Sequence, residues 1–309
     1  MARLRGGIVM VAGLSWLGRL GVSQATDLAL TEAAAREAAA RAEANALRAR
    51  LDKLEAQVAL TERYFTEAFW SALDVAYEPI LAQRPLTCIV CGHTDGRNGF
   101  EIREDRCYFG GGRLERYVCP GCDCIFGPQK YLDLDEAFVG KDYQVLYSRY
   151  AEGDTTANEL RAFRSLTAEP GGRYLDWGAG GGWNRTLETL KGEGWDIVAH
   201  EPNAAGAIAE SGAQVWDGVS GGFDGIFSNN VIEHFRDPVA QFQAFHALLK
   251  PGGKMAHASP CYDYCFAFTR FHSVFLLGRS PNILAERTGF RVVDSERDGE
   301  YINHVFQRV

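Results

Sequence analysis

The sequence predicts an α/β protein in which a mostly parallel sheet, covered by helices on both faces, is preceded by a small cysteine module and a long N-terminal helix. Three observations carry this. From Tyr174 onward short apolar runs alternate with helical stretches, the pattern of a sheet covered on both sides. Two C-x-x-C pairs, Cys88 with Cys91 and Cys119 with Cys122, stand upstream of it. Between Ala25 and Ala82 the chain is rich in Ala, Glu, Arg and Leu, holds no glycine, and has Pro79 as its only proline.

At 309 residues and 46% hydrophobic content the chain can bury one sizeable core and carry one or two smaller modules. The net charge of -8 gives no electrostatic footprint for nucleic acid and no broad attraction to anionic membrane. A soluble, cytoplasmic protein is expected. Residues 1–24 place Arg3 and Arg5 ahead of an apolar stretch from Ile8 to Leu17 that is too short to span a bilayer and is broken by Arg19. They read as a poorly ordered leader, with export or surface attachment as the alternative.

Residues 25–82 form the helical arm. A heptad seam runs through Leu30, Ala33, Ala40, Ala44, Leu47, Leu51, Leu54, Val58 and Phe65, with Glu37 and Thr61 as polar interruptions. The seam favours a coiled coil and hence a homo-oligomer; the alternative is one amphipathic helix lying on its own domain. Phe65, Phe69, Trp70 and Tyr77 enrich the end of the arm, where it is expected to dock on the body.

Residues 83–130 read as a zinc ribbon. Each C-x-x-C is a tight turn that aims two thiolates at one point, and two such turns supply the four-sulfur shell of a structural zinc ion: Cys88, Cys91, Cys119 and Cys122. Such a shell leaves no open position for chemistry. Arg116-Tyr117-Val118 reads as a strand before the second pair, and Cys107, Cys124 or His93 stand in reserve if the register differs. From Arg84 to Lys130, seven basic residues face six acidic ones, so the module has no basic face for nucleic acid. Residues 131–170 follow as a linker and a helix with Tyr143, Tyr147 and Tyr150 on one side.

Residues 171–309 complete the chain. Tyr174 to Trp177 is a short strand that runs into Gly178-Ala179-Gly180-Gly181-Gly182, with a helix expected from Trp183. A glycine turn lets a ligand approach the main chain without meeting a Cβ, and free amides at a helix start face the same space. Asp176, at the strand's carboxyl end, is placed to accept hydrogen bonds from a cationic or hydroxylated ligand. A dinucleotide turn of the G-x-G-x-x-G type would need glycine at 183, where Trp183 stands.

The string D-x-G-x-G-x-G resembles the first motif of the class I S-adenosylmethionine-dependent methyltransferases. His200-Glu201-Pro202, Phe223-Asp224-Gly225-Ile226-Phe227, Val231-Ile232-Glu233-His234 with Asp237-Pro238, and Leu249-Lys250-Pro251-Gly252-Gly253 follow in the family's order, over about residues 144–309. The resemblance implies a Rossmann-like methyltransferase sheet with strands at 174–177, 196–200, 214–216, 223–228 and 254–258, helices at 204–211, from 238 and at 281–288, and a final antiparallel pair at 290–295 and 301–308.

It also implies S-adenosylmethionine as cofactor, held at Asp176, Gly178, Gly180 and Gly182. Glu201 would accept from the ribose hydroxyls, Asp217 would meet the adenine, and Asn229 would lie near the methionine part. The helix of residues 131–170 would act as a lid. His234, just beyond the fourth strand, is the first choice for a general base, with His272, Tyr262 and Asp263 as second choices or substrate contacts. Ribbons of this kind precede the catalytic domain in bacterial methyltransferases of sugars and glycans, so the expected acceptor is a sugar, sugar nucleotide or glycan end. A small-molecule or natural-product methyltransferase is the runner-up, and a non-catalytic cofactor-binding assembly protein the reading from another class.

Overall fold

A computed structural model describes residues 12–147, 153–180, 185–202, 213–262 and 269–309. The chain divides into two units, Met1–Phe65 and Thr66–Val309. Helix α1, Ala12–Gln83, forms the described part of the first unit and continues into the second. It starts inside the segment expected to be a leader. Leu30, Leu47, Leu51, Leu54, Val58 and Phe65 are exposed along it, each by half or more. Among the described residues no helix is long and apolar enough to cross a membrane.

Within the second unit the last turns of α1 belong to the body. Trp70 is 1% exposed and packs with Tyr131, Val139 and Phe271. Lys130 pairs with Asp74, and Arg84 binds Asp133 through both guanidinium nitrogens at 2.6 and 3.0 Å.

The cysteine module follows: β1 (Leu86–Thr87) pairs with β2 (Thr94–Asp95), and β3 (Glu101–Arg106), β4 (Arg113–Val118) and β5 (Ile125–Phe126) make an antiparallel meander. Three helices come next, α2 (Gln129–Leu132), α3 (Glu136–Tyr147) and α4 (Thr156–Ser165).

The main sheet is built from β6 (Arg173–Trp177), β7 (Asp196–His200), β8 (Gln214–Val215), β9 (Phe223–Asn229), β10 (Leu249–Pro260), β12 (Phe290–Asp298) and β13 (Tyr301–Arg308). Its order is β12-β13-β10-β9-β6-β7-β8. The strands from β10 to β8 run parallel, and the last two form the antiparallel edge expected from the sequence. Helices α5 (Thr186–Gly192), α6 (Pro238–Leu248) and α7 (Ser280–Thr288) complete it.

Two-residue periodicity divides the core between the faces. Leu175, Ile226, Met255 and Phe306 pack with Phe242 and Phe245 of α6 and Leu284 of α7. Their neighbours Tyr174, Phe227, Ala256 and Val305 pack with Ala162 and Phe163 of α4 and Leu190 of α5. Both faces are therefore covered by helix, and in such sheets ligands bind beyond the strand carboxyl ends, here those of β6, β7 and β9. Asp237 caps α6 as the sequence predicts, its carboxylate accepting from the Ala240 N–H at 2.9 Å, with Pro238 at the first helical position.

Two features differ from expectation. Strand β10 begins at Leu249, which pairs with Phe223, and its register breaks before Lys254, so Lys250 to Gly253 bulge out of an otherwise continuous strand. The cysteine module is not self-contained either. Strand β11 (Val274–Phe275), which follows β10, pairs with β5 and makes a four-stranded sheet of order β11-β5-β4-β3. The helix expected at 204–211 lies outside the described residues.

Candidate active site

The turn after β6 is held against β7, with the N–H groups of Gly178 and Ala179 both donating to the His200 carbonyl at 2.8 and 3.1 Å. Gly178 and Gly180 have φ of 84° and 72°, the left-handed region that favours glycine. A Cβ on Gly178 would lie 2.4 Å from Cγ2 of Val231, so the turn can seat against the loop after β9 only with hydrogen at this position. Gly182 lies outside the described residues.

Asp176 is 1% exposed, and its Oδ2 is buried without a hydrogen-bond partner among the described residues. Burial raises its pKa well above the usual carboxylate value, and the negative charges of Glu159 and Glu201 raise it further. Three carboxylates thus converge at the carboxyl ends of β6 and β7, an arrangement that a cationic, hydroxyl-bearing ligand neutralises. Glu159 was not singled out in the sequence. Its signal was a carboxylate on the apolar side of α4, one and two turns before Phe163 and Leu166, and it is 3% exposed.

Asn229 closes β9 at 5% exposure, with both side-chain amide atoms lacking a partner among the described residues. Asp217, by contrast, is exposed and turned into its own loop, where it accepts from the N–H groups of Val219 and Ser220 at 2.9 and 2.7 Å. Those bonds hold its pKa below the usual value.

His234 ends a short 3-10 turn, Ile232–His234. Its Nδ1 lies 3.2 Å from the Phe271 carbonyl, which can only accept, so Nδ1 carries the proton and Nε2 keeps its lone pair. Burial lowers its pKa to about 4. His272 stands edge-on to it with ring centroids 4.9 Å apart, and Tyr143 of α3 also meets it edge-on at 5.7 Å. The structure therefore joins His234 to the second-choice His272. Tyr262 packs instead on Phe275, and Asp263 lies outside the described residues, as do Tyr150 and the side chain of Tyr147.

A cavity of about 510 Å³ opens beside His234, lined by Tyr131, Tyr143, Glu136, Gln144, Arg236 and Gln241 among others. Its size suits a small organic ligand. Arg236 is fixed by Glu136 at 2.8 Å and by the carbonyl of Leu132, also at 2.8 Å.

The four predicted cysteines meet in one cluster with every Sγ within 4.8 Å of the others. Cys88 and Cys122 are 3.6 Å apart, and Cys91 and Cys119 3.5 Å. Tetrahedral zinc with Zn–S bonds of about 2.3 Å sets sulfurs roughly 3.8 Å apart, so the donor set fits that ion. Hydrogen bonds from Cys122 and Cys124 lower the Cys88 pKa to about 2, while burial and the Cys88 charge push Cys119 up to about 12. Four thiolate charges this close together repel one another, and a cation at the centre of the cluster offsets that repulsion. His93 donates its backbone N–H to Cys91 Sγ at 3.4 Å, and its ring packs on Phe100; Cys107 lies apart, against Arg270.

The module reaches the loops of Glu233 and His272 through β4 and the residue after β5. Arg116, fully buried, donates to the carbonyls of Thr269 and His272 at 2.6 and 3.2 Å. The Gly127 N–H donates to the Ser273 carbonyl at 3.1 Å, and the Ser273 N–H to the Glu233 carbonyl at 2.6 Å.

A family model described as a methyltransferase domain matches residues 147–302, just over half of the chain. No curated protein matches it. Among solved structures, the mitomycin 7-O-methyltransferase MmcR is 16% identical, with 50% of this chain and 54% of that one covered at a TM-score of 0.39. An S-adenosylmethionine-dependent methyltransferase from Mesorhizobium loti is 17% identical, with 48% and 97% covered at a TM-score of 0.38. The glycopeptide N-methyltransferase MtfA, complexed with S-adenosylmethionine, is 14% identical, with 51% and 95% covered at a TM-score of 0.39. The chain spans about half the length of the first of these.

Proposed function

The chain belongs to the methyltransferase-domain family, and on that premise we propose that it is a class I S-adenosylmethionine-dependent methyltransferase whose acceptor is a hydroxyl of a sugar, sugar nucleotide or glycan end. The observation that carries this reading is the cavity beside His234. Tyr131 and Tyr143 offer aromatic surface for the C–H face of a sugar ring, while Glu136, Gln144, Arg236 and Gln241 offer donors and acceptors for its hydroxyls.

Bound S-adenosylmethionine supplies a methyl group already activated on a sulfonium. Asp176 and Glu201, with the turn at Gly178, Gly180 and Gly182, would hold that cofactor; Glu201 would accept from its ribose, Asn229 would meet its methionine part, and Asp217 would have to leave its own loop to meet the adenine. Asn229 fits its role best, because its buried amide keeps donor and acceptor capacity in hand. In-line alignment of the acceptor is worth up to about 7 to 11 kcal/mol in favourable cases. His234, on the wall of the cavity with Nε2 unprotonated, assists deprotonation of the acceptor hydroxyl. Zinc in the four-cysteine cluster fixes the module that carries Arg116 and Gly127, and a second copy of the chain pairs along Leu47, Leu51, Leu54 and Val58.

The test is transfer of a labelled methyl group from S-adenosylmethionine to a panel of sugars, sugar nucleotides and glycans beside phenolic and amine natural products. Labelling confined to the sugar set is expected, with Glu201→Ala weakening cofactor binding by calorimetry by no more than about 3 kcal/mol. Preference for the phenols would replace the sugar acceptor with a natural-product one. Purified protein lacking one zinc per chain, or keeping its metal after Cys119→Ser, would remove the ribbon assignment.

A further inference from the structure

We infer that Glu233, His234 and His272 form a binding site for a divalent transition-metal ion at the edge of the acceptor cavity. This rests on the reading of His234 as the residue beside the acceptor, and deepens it: with an ion on Nε2, His234 assists loss of the hydroxyl proton through the ion and does not itself take that proton.

One ligand atom from each residue lies within 4.8 Å of the other two, which leaves room for one ion between them. Glu233 is 1% exposed and His272 7%. The Phe271 carbonyl fixes the His234 tautomer from behind, 3.2 Å from Nδ1, and directs the lone pair of Nε2 towards Glu233, whose Oε1 is 3.9 Å away. Backbone carbonyls orient metal-binding imidazoles in this way. His272 adds a second, independent sign, since its Nδ1 is buried with no hydrogen-bond partner among the described residues. A buried nitrogen without a partner costs stability, and an ion that reaches it removes that cost.

The scaffold is set before any ion arrives. Arg116 holds the His272 carbonyl, and Ser273 ties the same loop to the Glu233 backbone at 2.6 Å. Two imidazoles and one carboxylate select manganese, iron, cobalt or zinc over magnesium or calcium. Three protein ligands also leave positions open, unlike the closed four-sulfur shell. His234 lines the cavity, so an acceptor hydroxyl can take such a position. Ligation lowers the pKa of that hydroxyl and its proton passes to water. The oxygen pair then forms the C–O bond as the C–S bond breaks, and the C–S electrons stay on sulfur.

Cobalt(II) is the probe, added to the full chain after zinc loading of the cysteine cluster. One equivalent should bind with the weak visible bands of nitrogen and oxygen ligation and without sulfur-to-cobalt charge transfer. Glu233→Gln and His272→Gln should each abolish those bands, with circular dichroism confirming that the variants are folded. If a variant fails to fold, the wild-type spectrum alone decides. No bound cobalt in the wild-type chain, or undiminished bands in both folded variants, overturns the site. Calorimetry with S-adenosylmethionine on the same samples separates the two readings: cofactor binding without cobalt sinks the metal site alone, whereas cobalt binding without cofactor sinks the methyltransferase reading on which the site's role rests.

Discussion

Asp176 shows how a residue can be unfavourable for the fold and favourable for a ligand. Burial, Glu159 and Glu201 raise its pKa, so the free protein disfavours its ionised form. An acid whose folded pKa lies above its unfolded value lowers stability at pH above both, and that loss is relieved as pH falls through the folded value. Asp176→Asn should therefore raise the melting temperature of the free protein at pH 7 to 8. The same change removes a charged acceptor worth about 1.5–3 kcal/mol, so cofactor affinity should fall roughly 10- to 150-fold. A bound cation draws the Asp176 pKa down, so binding should release a proton near the raised value. Calorimetry in buffers of different ionisation enthalpy measures that release, and a variant that is less stable yet binds normally would contradict the assignment. The acid itself was legible in the sequence, because it ends a strand and meets a glycine turn. Its partner Glu159 was not, since linear spacing does not tell a carboxylate facing the sheet from one facing water.

At the scale of elements, the parallel strands and the antiparallel edge were legible because their apolar residues alternate or run on, as in Leu175, Ile226 and Met255. Strand β11 was not, because two residues carry no period, and only the tertiary pairing of Val274 with Phe126 makes them a strand. That pairing joins the cysteine module to the loop of His272. Arg116 is the test of the junction: it is fully buried, its pKa is lowered to about 10 by burial, and it stays charged at neutral pH. Arg116→Met keeps the bulk and removes a costly buried charge, so global stability should change little. The carbonyls of Thr269 and His272 lose their donor, and kcat/KM for the acceptor should fall about tenfold or more while cofactor affinity holds. Equal loss of both would make Arg116 a residue of the general core. The main sheet supplies a second prediction. His257, bonded at Nδ1 to Ser228 at 2.7 Å, and His304 are held neutral by burial, with pKa values of about 3 and about 4. Their folded values lie below the unfolded 6.5, so their stability is present above pH 6.5 and is lost as pH falls towards the folded values. His257→Gln should flatten the fall of unfolding free energy between pH 6 and 4.5 by about 1.4 kcal/mol per pH unit, measured by denaturant titration. An unchanged slope would mean that His257 takes up its proton in the folded state.

For the whole molecule, the decisive boundary lies inside α1. The sequence suggested that residues 25–82 act as one arm, but the two units divide after Phe65. Trp70 at 1% exposure and Leu81 at 7% belong to the core of the second unit, which also uses Asp74 to hold Lys130. Upstream, Leu47, Leu51, Leu54 and Val58 keep the three- and four-residue spacing of a coiled-coil seam and are 50–59% exposed. Burying a leucine or valine fully is worth about 1.5–3 kcal/mol, so these four positions are where a second copy would gain most by pairing. Two truncations separate the roles. Removal of residues 1–65 should give a monomer by light scattering that still binds S-adenosylmethionine, because the residues proposed to hold the cofactor lie in the second unit. Removal of residues 1–82 should leave an unstable protein, since deleting the buried Trp70 costs about 3–5 kcal/mol, a large share of the stability of an ordinary domain. A full-length chain that is already monomeric at micromolar concentration would dismiss the seam as an interface. A shorter truncation that loses cofactor affinity would move the boundary of the catalytic unit into the arm.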